Sequence, residues 1–240
     1  MIEIKELNKS FGNLKVLRNL SLTINDKEIV AIIGRSGGGK SVLLKHIMGI
    51  IKPDSGSVFI NGEDISRAKG KELDRIRSRC GVLFQGGALF DSMTIYENIA
   101  FPLKEKTKLL NNVIKEKVKE ALHDVGLTDI EDKYPAEISG GMKKRVALAR
   151  ALITEPELVL FDEPTTGLDP IMLRTIHKLI IDTHRKYNFT GIIISHEIPE
   201  IFDVAHKIAM LYEGTIAEVG TADEIKSSSN KIVRQFIYPL

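Results

Sequence analysis

The 240 residues carry 34 Lys and Arg against 32 Asp and Glu, with 43% hydrophobic and 28% charged residues. That composition excludes a disordered chain, supplies enough apolar surface for a sizeable core, and is too evenly balanced to indicate nucleic acid as a partner. A single cysteine, Cys80, excludes an internal disulfide and suits a small packed apolar role, no run approaches the roughly 18–20 apolar residues of a membrane span, and no signal-peptide pattern is present, so a reducing, cytoplasmic compartment is expected.

In chain order, Ile2, Ile4, Leu20, Leu22 and Ile24 alternate with polar neighbours and predict two half-buried antiparallel strands. Between them Lys9-Ser10-Phe11-Gly12-Asn13 reads as a turn, an odd place for a core aromatic. Ile29 to Ile33 is an apolar run of strand length, and Val42 to Met48 has a helical pattern. Gly34-Arg35-Ser36-Gly37-Gly38-Gly39-Lys40-Ser41 lies between them and spells G-x-x-x-x-G-K-S. Strand, glycine-rich loop and helix in that order form a phosphate cradle. The glycines let backbone N–H groups turn inward, and the helix start adds unpaired donors and a positive dipole end. Lys40 can reach the β- and γ-phosphates, and the Ser41 hydroxyl suits Mg²⁺.

Pro53-Asp54-Ser55-Gly56 reads as a turn, and residues 57–62 as a strand ending in a hairpin-type Asn61-Gly62. Residues 71–79 predict a short charged helix, and 81–84 a buried strand broken by Gln85-Gly86-Gly87. From about Ile95 to Leu152 the pattern is helical, with Val113, Val118, Leu122 and Val125 at helical spacings and Gly126 as a stop. Within it, Ser139 is a good N-cap, and Gly140-Gly141 at a helix start allow close approach of an anion. The basic Lys143-Lys144-Arg145 that follows reads as a solvated helix face rather than a nucleic-acid patch. Residues 158–161 form an apolar strand ending in Asp162-Glu163, 172–187 a long helix, and 191–194 a buried strand ending at Ser195-His196. A hairpin around Glu213-Gly214 and a helical stretch over 222–236 complete the chain. The alternation predicts an α/β fold with a mostly parallel sheet that binds ligand at its carboxyl edge, an N-terminal antiparallel part and an inserted helical subdomain. A carboxylate at a strand end beside a phosphate loop suits Mg²⁺ (Asp162), and its neighbour Glu163 can take a proton from an attacking water.

These residues resemble, in order, the motifs of the nucleotide-binding subunits of ABC (ATP-binding cassette) transporters, over nearly the whole chain. Phe11 matches the aromatic that stacks on adenine, and Val16 an aliphatic beside it. Gly34, Arg35, Ser36, Gly37, Gly38, Gly39, Lys40 and Ser41, followed by Val42, match Walker A. Gln85 matches the Q-loop, Ser139-Gly140-Gly141-Met142 the signature, Leu158 to Glu163 Walker B, Gly167-Leu168-Asp169 the D-loop and His196 the switch histidine. Phe11 stands for the usual Tyr, Met142 for the usual Gln and Ile138 for the usual Leu. The resemblance implies one P-loop ATPase domain over 1–240: a core of about 1–94 and 153–220, a helical subdomain of about 95–152 and a C-terminal helix of about 221–240. It implies a head-to-tail homodimer that binds ATP between the Walker A loop of one protomer and the signature of the other. Ser41, Gln85 and Asp162 would hold Mg²⁺, Glu163 would polarise water, His196 would contact the γ-phosphate and Asp169 would bridge the protomers.

In that family the stretch following Gln85 contacts the membrane permease. Here residues 86–103 offer a glycine hinge and the apolar Leu89, Phe90 and Met93 as a docking face. This stretch, the Ser-Gly-Gly-Met signature and the late Val233-Arg234-Gln235-Phe236 look like the ATPases of Mla/Mce-type phospholipid transporters. That subfamily implies a permease and an MCE-type lipid-binding protein as partners, no nucleic acid, and a peripheral place on the cytoplasmic face of the inner membrane. The alternatives are the ATPase of a polar-solute importer and a soluble ABC ATPase of DNA repair or translation. The latter class usually carries a coiled-coil insertion or two fused cassettes, and this chain has one cassette and no sustained heptads.

Overall fold

In the computed structural model, which describes residues 1–238, β1 (Ile2–Phe11) and β2 (Leu14–Ile24) form the expected antiparallel pair. Ile2, Ile4 and Leu7 are all buried although their spacing changes from two to three. The register shift between Ile4 and Leu7, with Glu6 at φ 47, restores them to one face. Lys9, Ser10 and Phe11 belong to β1, so only Gly12 and Asn13 form the turn; Phe11 ends a strand rather than sitting in a loop.

β3 (Ile29–Ile33) is buried at every position, as a strand covered on both faces must be. α1 (Lys40–Ile47) follows the glycine-rich loop. β4 (Ser55–Ile60) pairs antiparallel with the other edge of β1, and Asn61-Gly62, both left-handed, hairpin into β5 (Glu63–Asp64). Ser55 and Gly56 are thus strand rather than turn. In the last turn of α2 (Gly70–Ser78) lies Arg77, whose guanidinium donates to Met48 O (3.0 Å) and Gly49 O (2.9 Å) and satisfies carbonyls at the end of α1.

Two compact units divide the chain: Met1–Arg77 with the segment from Thr190 onward, and Ser78–Phe189. In the second, β6 (Cys80–Leu83) runs parallel to β7 (Leu158–Asp162), and Phe84, expected in the buried strand, lies outside it and is exposed. Burial pushes the Cys80 thiol up to about 11, so it packs as a small apolar group and is no nucleophile. α3 (Ile95–Lys106) starts at a Thr94–Glu97 capping box, and α4 (Asn111–Asp124) stops where Gly126 turns left-handed. α5 (Gly140–Leu152) packs against α3, α4 and β6 and also meets α6 (Pro170–Tyr187). Val146, Ala147, Leu148 and Ala149 are all essentially buried, so the middle of α5 is enclosed on every side as a core helix is. The solvated basic face expected at its start is not there. Lys144 is 7% exposed and donates to Gln85 O, while Arg145 donates to Gly126 O (3.0 Å) at the end of α4.

In the first unit, β8 (Thr190–Ser195) and β9 (Lys207–Tyr212) flank β3, both parallel to it, and β10 (Thr215–Gly220) returns antiparallel along β9. The single C-terminal helix expected over about 221–240 is two helices, α7 (Ala222–Lys226) and α8 (Lys231–Ile237). The Ser-Ser-Ser-Asn run between them breaks the helix, and Asn230 caps the second one. Residues 239 and 240 of that expected helix lie outside the described residues. Among the described residues no helix is long and apolar enough to cross a membrane.

Candidate functional site

In the first unit the loop Gly34–Lys40 leaves the carboxyl end of β3 and wraps the start of α1. Gly34 has φ 153, and a Cβ there would lie 2.3 Å from Leu211 O, so no other residue fits. Gly37 and Gly39 are left-handed, with φ 75 and 99. Gly39 occupies the N-cap of α1 and brings no side chain to its first N–H groups, and no acidic residue lies in the first turn. The helices α3, α5, α6 and α7 differ, each being capped by its own Thr94, Ser139, Asp169 or Thr221 side chain. The start of α1 therefore keeps its donors and its positive end for an anion.

Lys40 is 5% exposed and donates from Nζ to Gly34 O (2.7 Å) and Arg35 O (3.1 Å). A buried ammonium thus closes the loop on itself. Arg35, Ser36 and Ser41 are exposed, and Val42 is half-buried. Val16 lies against the loop, its Cγ1 being 3.2 Å from where a Cβ on Gly39 would sit. Phe11 is 51% exposed, with the Lys9 ammonium 5.4 Å from its ring centroid. His196 follows the end of β8 and is exposed, and the buried Ser195 accepts from Glu197 N (3.0 Å) just behind it.

In the second unit Asp162 is the last residue of β7 and Glu163 follows it in a left-handed conformation, φ 47. That backbone conformation is uncommon for a residue other than glycine. Glu163 Oε2 accepts from Gln85 Nε2 (3.1 Å) and from Thr166 Oγ1 (3.1 Å), so two residues that the sequence could only name separately share one hydrogen-bonded group. Ser139 Oγ accepts from Met142 N (3.2 Å), as an N-cap should. The glycines behind it differ in purpose. Gly140 faces open space, whereas a Cβ on Gly141 would meet the Met172 thioether at 2.7 Å, so the absence of a side chain at Gly141 lets Met172 pack against the helix start. Asp169 caps α6, its Oδ1 accepting from Ile171 N and Met172 N, both at 3.0 Å.

Three further residues shape this region and were not legible as site residues. Lys144 and Arg150 hold backbone carbonyls of the Gln85 loop. Asn98 is fully buried; its Oδ1 accepts from Phe90 N (2.8 Å) and its Nδ2 donates to Phe90 O, Met93 O and Thr94 O at 3.0–3.1 Å. The signal for Asn98 was an amide on the apolar stripe between Ile95 and Ile99, where only a polar partner in the backbone can satisfy it. Asn98→Ala is expected to lower stability by roughly 3 kcal/mol, since several buried groups lose their partner at once. Calorimetry should read this as a fall in Tm of about 6–12 °C, and a fall under a degree would contradict the loop-pinning role.

The pinned loop borders a groove of about 370 Å³ whose walls include Phe84, Phe90, Phe101 and Pro102. Phe90 is 43% exposed and Phe84 39%, and Phe90 and Phe101 meet at 5.2 Å between ring centroids. Leu89 and Met93, expected on the same face, are only half-exposed.

The family described as ABC transporter matches residues 17–166. The chain is 39% identical to the intermembrane phospholipid transport system ATP-binding protein MlaF of Haemophilus influenzae, across 99% of this chain and 90% of that protein. It is 42% identical to the probable ribonucleotide transport ATP-binding protein mkl of Mycobacterium leprae, across 98% of this chain but 68% of that protein. Among solved structures, cbiO1 of Clostridium perfringens, part of an ABC transporter complex, superposes with a TM-score of 0.87 at 30% identity over 99% of this chain and 95% of its own. A dimeric ATP-binding cassette in a post-hydrolysis state, bound to ADP and Pi, superposes with a TM-score of 0.84 at 29% identity over 92% of this chain and 99% of its own.

Proposed function

The chain belongs to the ABC transporter family of ATP-hydrolysing cassettes, and from that premise we propose that it powers a transporter that moves phospholipid between the inner and outer membranes. The observation that carries the cargo is the similarity to MlaF along almost the full length of both chains.

Phe11 stacks on adenine with Val16 beside it, and the N–H groups from Gly34 to Val42 hold the phosphates. Lys40 exchanges its two loop carbonyls for the β- and γ-phosphate oxygens. Ser41, Gln85 and Asp162 offer hydroxyl, amide and carboxylate oxygens, the hard donor set that Mg²⁺ prefers. The Gln85 amide nitrogen already faces Glu163, which leaves its oxygen for the cation. Bound Mg²⁺ supplies charge neutralisation on the phosphate oxygens. Glu163 takes the proton of the water that attacks the γ-phosphorus; the bond to the β–γ bridging oxygen breaks, and ADP and phosphate leave. His196 contacts the γ-phosphate.

Related cassettes are dimers, and the proposal extends this to two copies in which Ser139, Gly140, Gly141 and Met142 cover the partner's nucleotide and Asp169 bridges the pair. Exposure of Gly140 and Ser139 supports that role. The exposed aromatics of the groove beside residues 86–103 support docking of a membrane permease there, which keeps the cassette peripheral on the cytoplasmic face of the inner membrane. An MCE-type lipid-binding protein belongs to the same assembly. The test is purification of the tagged chain from detergent-solubilised membranes, with proteins and lipids identified by mass spectrometry. A multispanning permease, an MCE protein and phospholipid are expected. A permease with a solute-binding protein and no lipid would assign the cassette to a polar-solute importer, and soluble nucleic-acid-processing partners would overturn transport.

A further inference from the structure

Two cations of α5 grip the backbone of the loop that carries Gln85. Lys144 Nζ donates to Gln85 O, and Arg150 donates from Nη2 to Gly87 O (2.7 Å) and from Nη1 to Ala88 O (2.8 Å). Three carbonyls within four residues are thus bound to one helix. The loop backbone is uncommon as well: Gly87 and Ala88 are consecutive left-handed residues, φ 74 and 49, and alanine adopts that conformation at a cost. The turn directs both carbonyls at one guanidinium, whose planar fork can bind two acceptors where an ammonium presents a point charge. Arg150 also lies 5.8 Å from the centroid of the Phe90 ring, at the far end of the same loop. At the near end the Gln85 amide reaches Glu163.

We propose that Lys144 and Arg150 are positioning residues for ATP hydrolysis: through the carbonyls of Gln85, Gly87 and Ala88 they fix where the Gln85 amide stands relative to Glu163. The proposal rests on the reading above in which Gln85 and Glu163 serve hydrolysis. It follows that α5, which opens with the signature residues, also sets the geometry of the Gln85 loop, and that a displacement of α5 carries the Gln85 amide with it. Neither cation is among the residues assigned to hold nucleotide, so their loss acts on turnover rather than on binding.

A double-mutant cycle on the full chain decides the matter, with phosphate release measured against MgATP and nucleotide affinity measured separately. Arg150→Lys, which keeps the charge and loses the fork, is expected to lower kcat about tenfold, with affinity for ATP held within about twofold and more Mg²⁺ needed for half-maximal rate. In a Gln85→Ala background the same change is expected to cost less than about twofold, because both act through one amide. Lys144→Met should fall in the same direction and Lys144→Gln, whose amide still donates, should recover most of the rate. These Lys144 variants decide the question if Arg150→Lys does not fold. Independent, multiplicative losses from Arg150→Lys and Gln85→Ala, or equal rates in Lys144→Met and Lys144→Gln, would overturn positioning and leave the cations as stabilisers of the fold. Wild-type kcat in Gln85→Ala alone would instead show that the reading of Gln85 fails, and the positioning proposal with it.

Discussion

Glu163→Gln is expected to bind ATP with unchanged affinity, to accumulate as a nucleotide-bound dimer and to lose turnover by about 10²–10⁴-fold, the usual contribution of a general base. The substitution is close to isosteric and keeps an oxygen that can accept from Gln85 Nε2 and Thr166 Oγ1, the two donors now 3.1 Å from Oε2. The left-handed backbone at φ 47 strains glutamine no more than glutamate. What is lost is the ability to take a proton from water. A structural role alone would cost stability and leave the rate; a catalytic role costs the rate and leaves stability. Phosphate release together with size-exclusion chromatography in ATP separates the two, and turnover at the wild-type rate would remove Glu163 from the chemistry.

Much of this was legible because local chemistry dictates it. A loop of the form G-x-x-x-x-G-K-S between an apolar strand and a helix has few other uses, and it folds as read, with Gly34 pressed against Leu211 O. Asn61-Gly62 and Glu213-Gly214 both became left-handed hairpin turns, since a tight turn between antiparallel strands requires that conformation. Where the structure departs from the local pattern, tertiary partners outweigh it. Lys143-Lys144-Arg145 reads as a solvated face, yet Lys144 is buried on the Gln85 loop and the half-buried Arg145 donates to the end of α4. Sequence carries no sign of a carbonyl that lies 59 residues away. Ile2, Ile4 and Leu7 share a face only through the register shift at Glu6, which an alternation rule cannot foresee. Asn98 was hidden in the same way: its four partners lie in the loop before the helix. The hydrogen bond between Gln85 and Glu163 joins the ends of two parallel strands, a proximity set by the pairing of β6 with β7 and by nothing in either segment.

Lys40→Ala is expected to weaken ATP binding by on the order of 10²–10³-fold and to abolish turnover at ordinary nucleotide concentrations. Removing one partner of a buried, hydrogen-bonded charge pair costs about 2–5 kcal/mol, and each 1.4 kcal/mol is about tenfold in affinity. The fold itself should lose less. Alanine is the better helix former at the start of α1, and the carbonyls of Gly34 and Arg35 lie beside an exposed stretch of loop where water can replace the ammonium. Lys40→Arg separates charge from shape. It keeps the positive charge, but a planar guanidinium is wider than an ammonium and cannot sit 2.7 Å and 3.1 Å from the same two carbonyls within a loop built around Lys40. Recovery of binding in Lys40→Arg would mean that charge alone suffices; loss in both variants would mean that the loop selects the compact ammonium. Calorimetric titration with ATP reads the difference directly, and unchanged affinity and rate in Lys40→Ala would take the phosphate-holding role away from this loop.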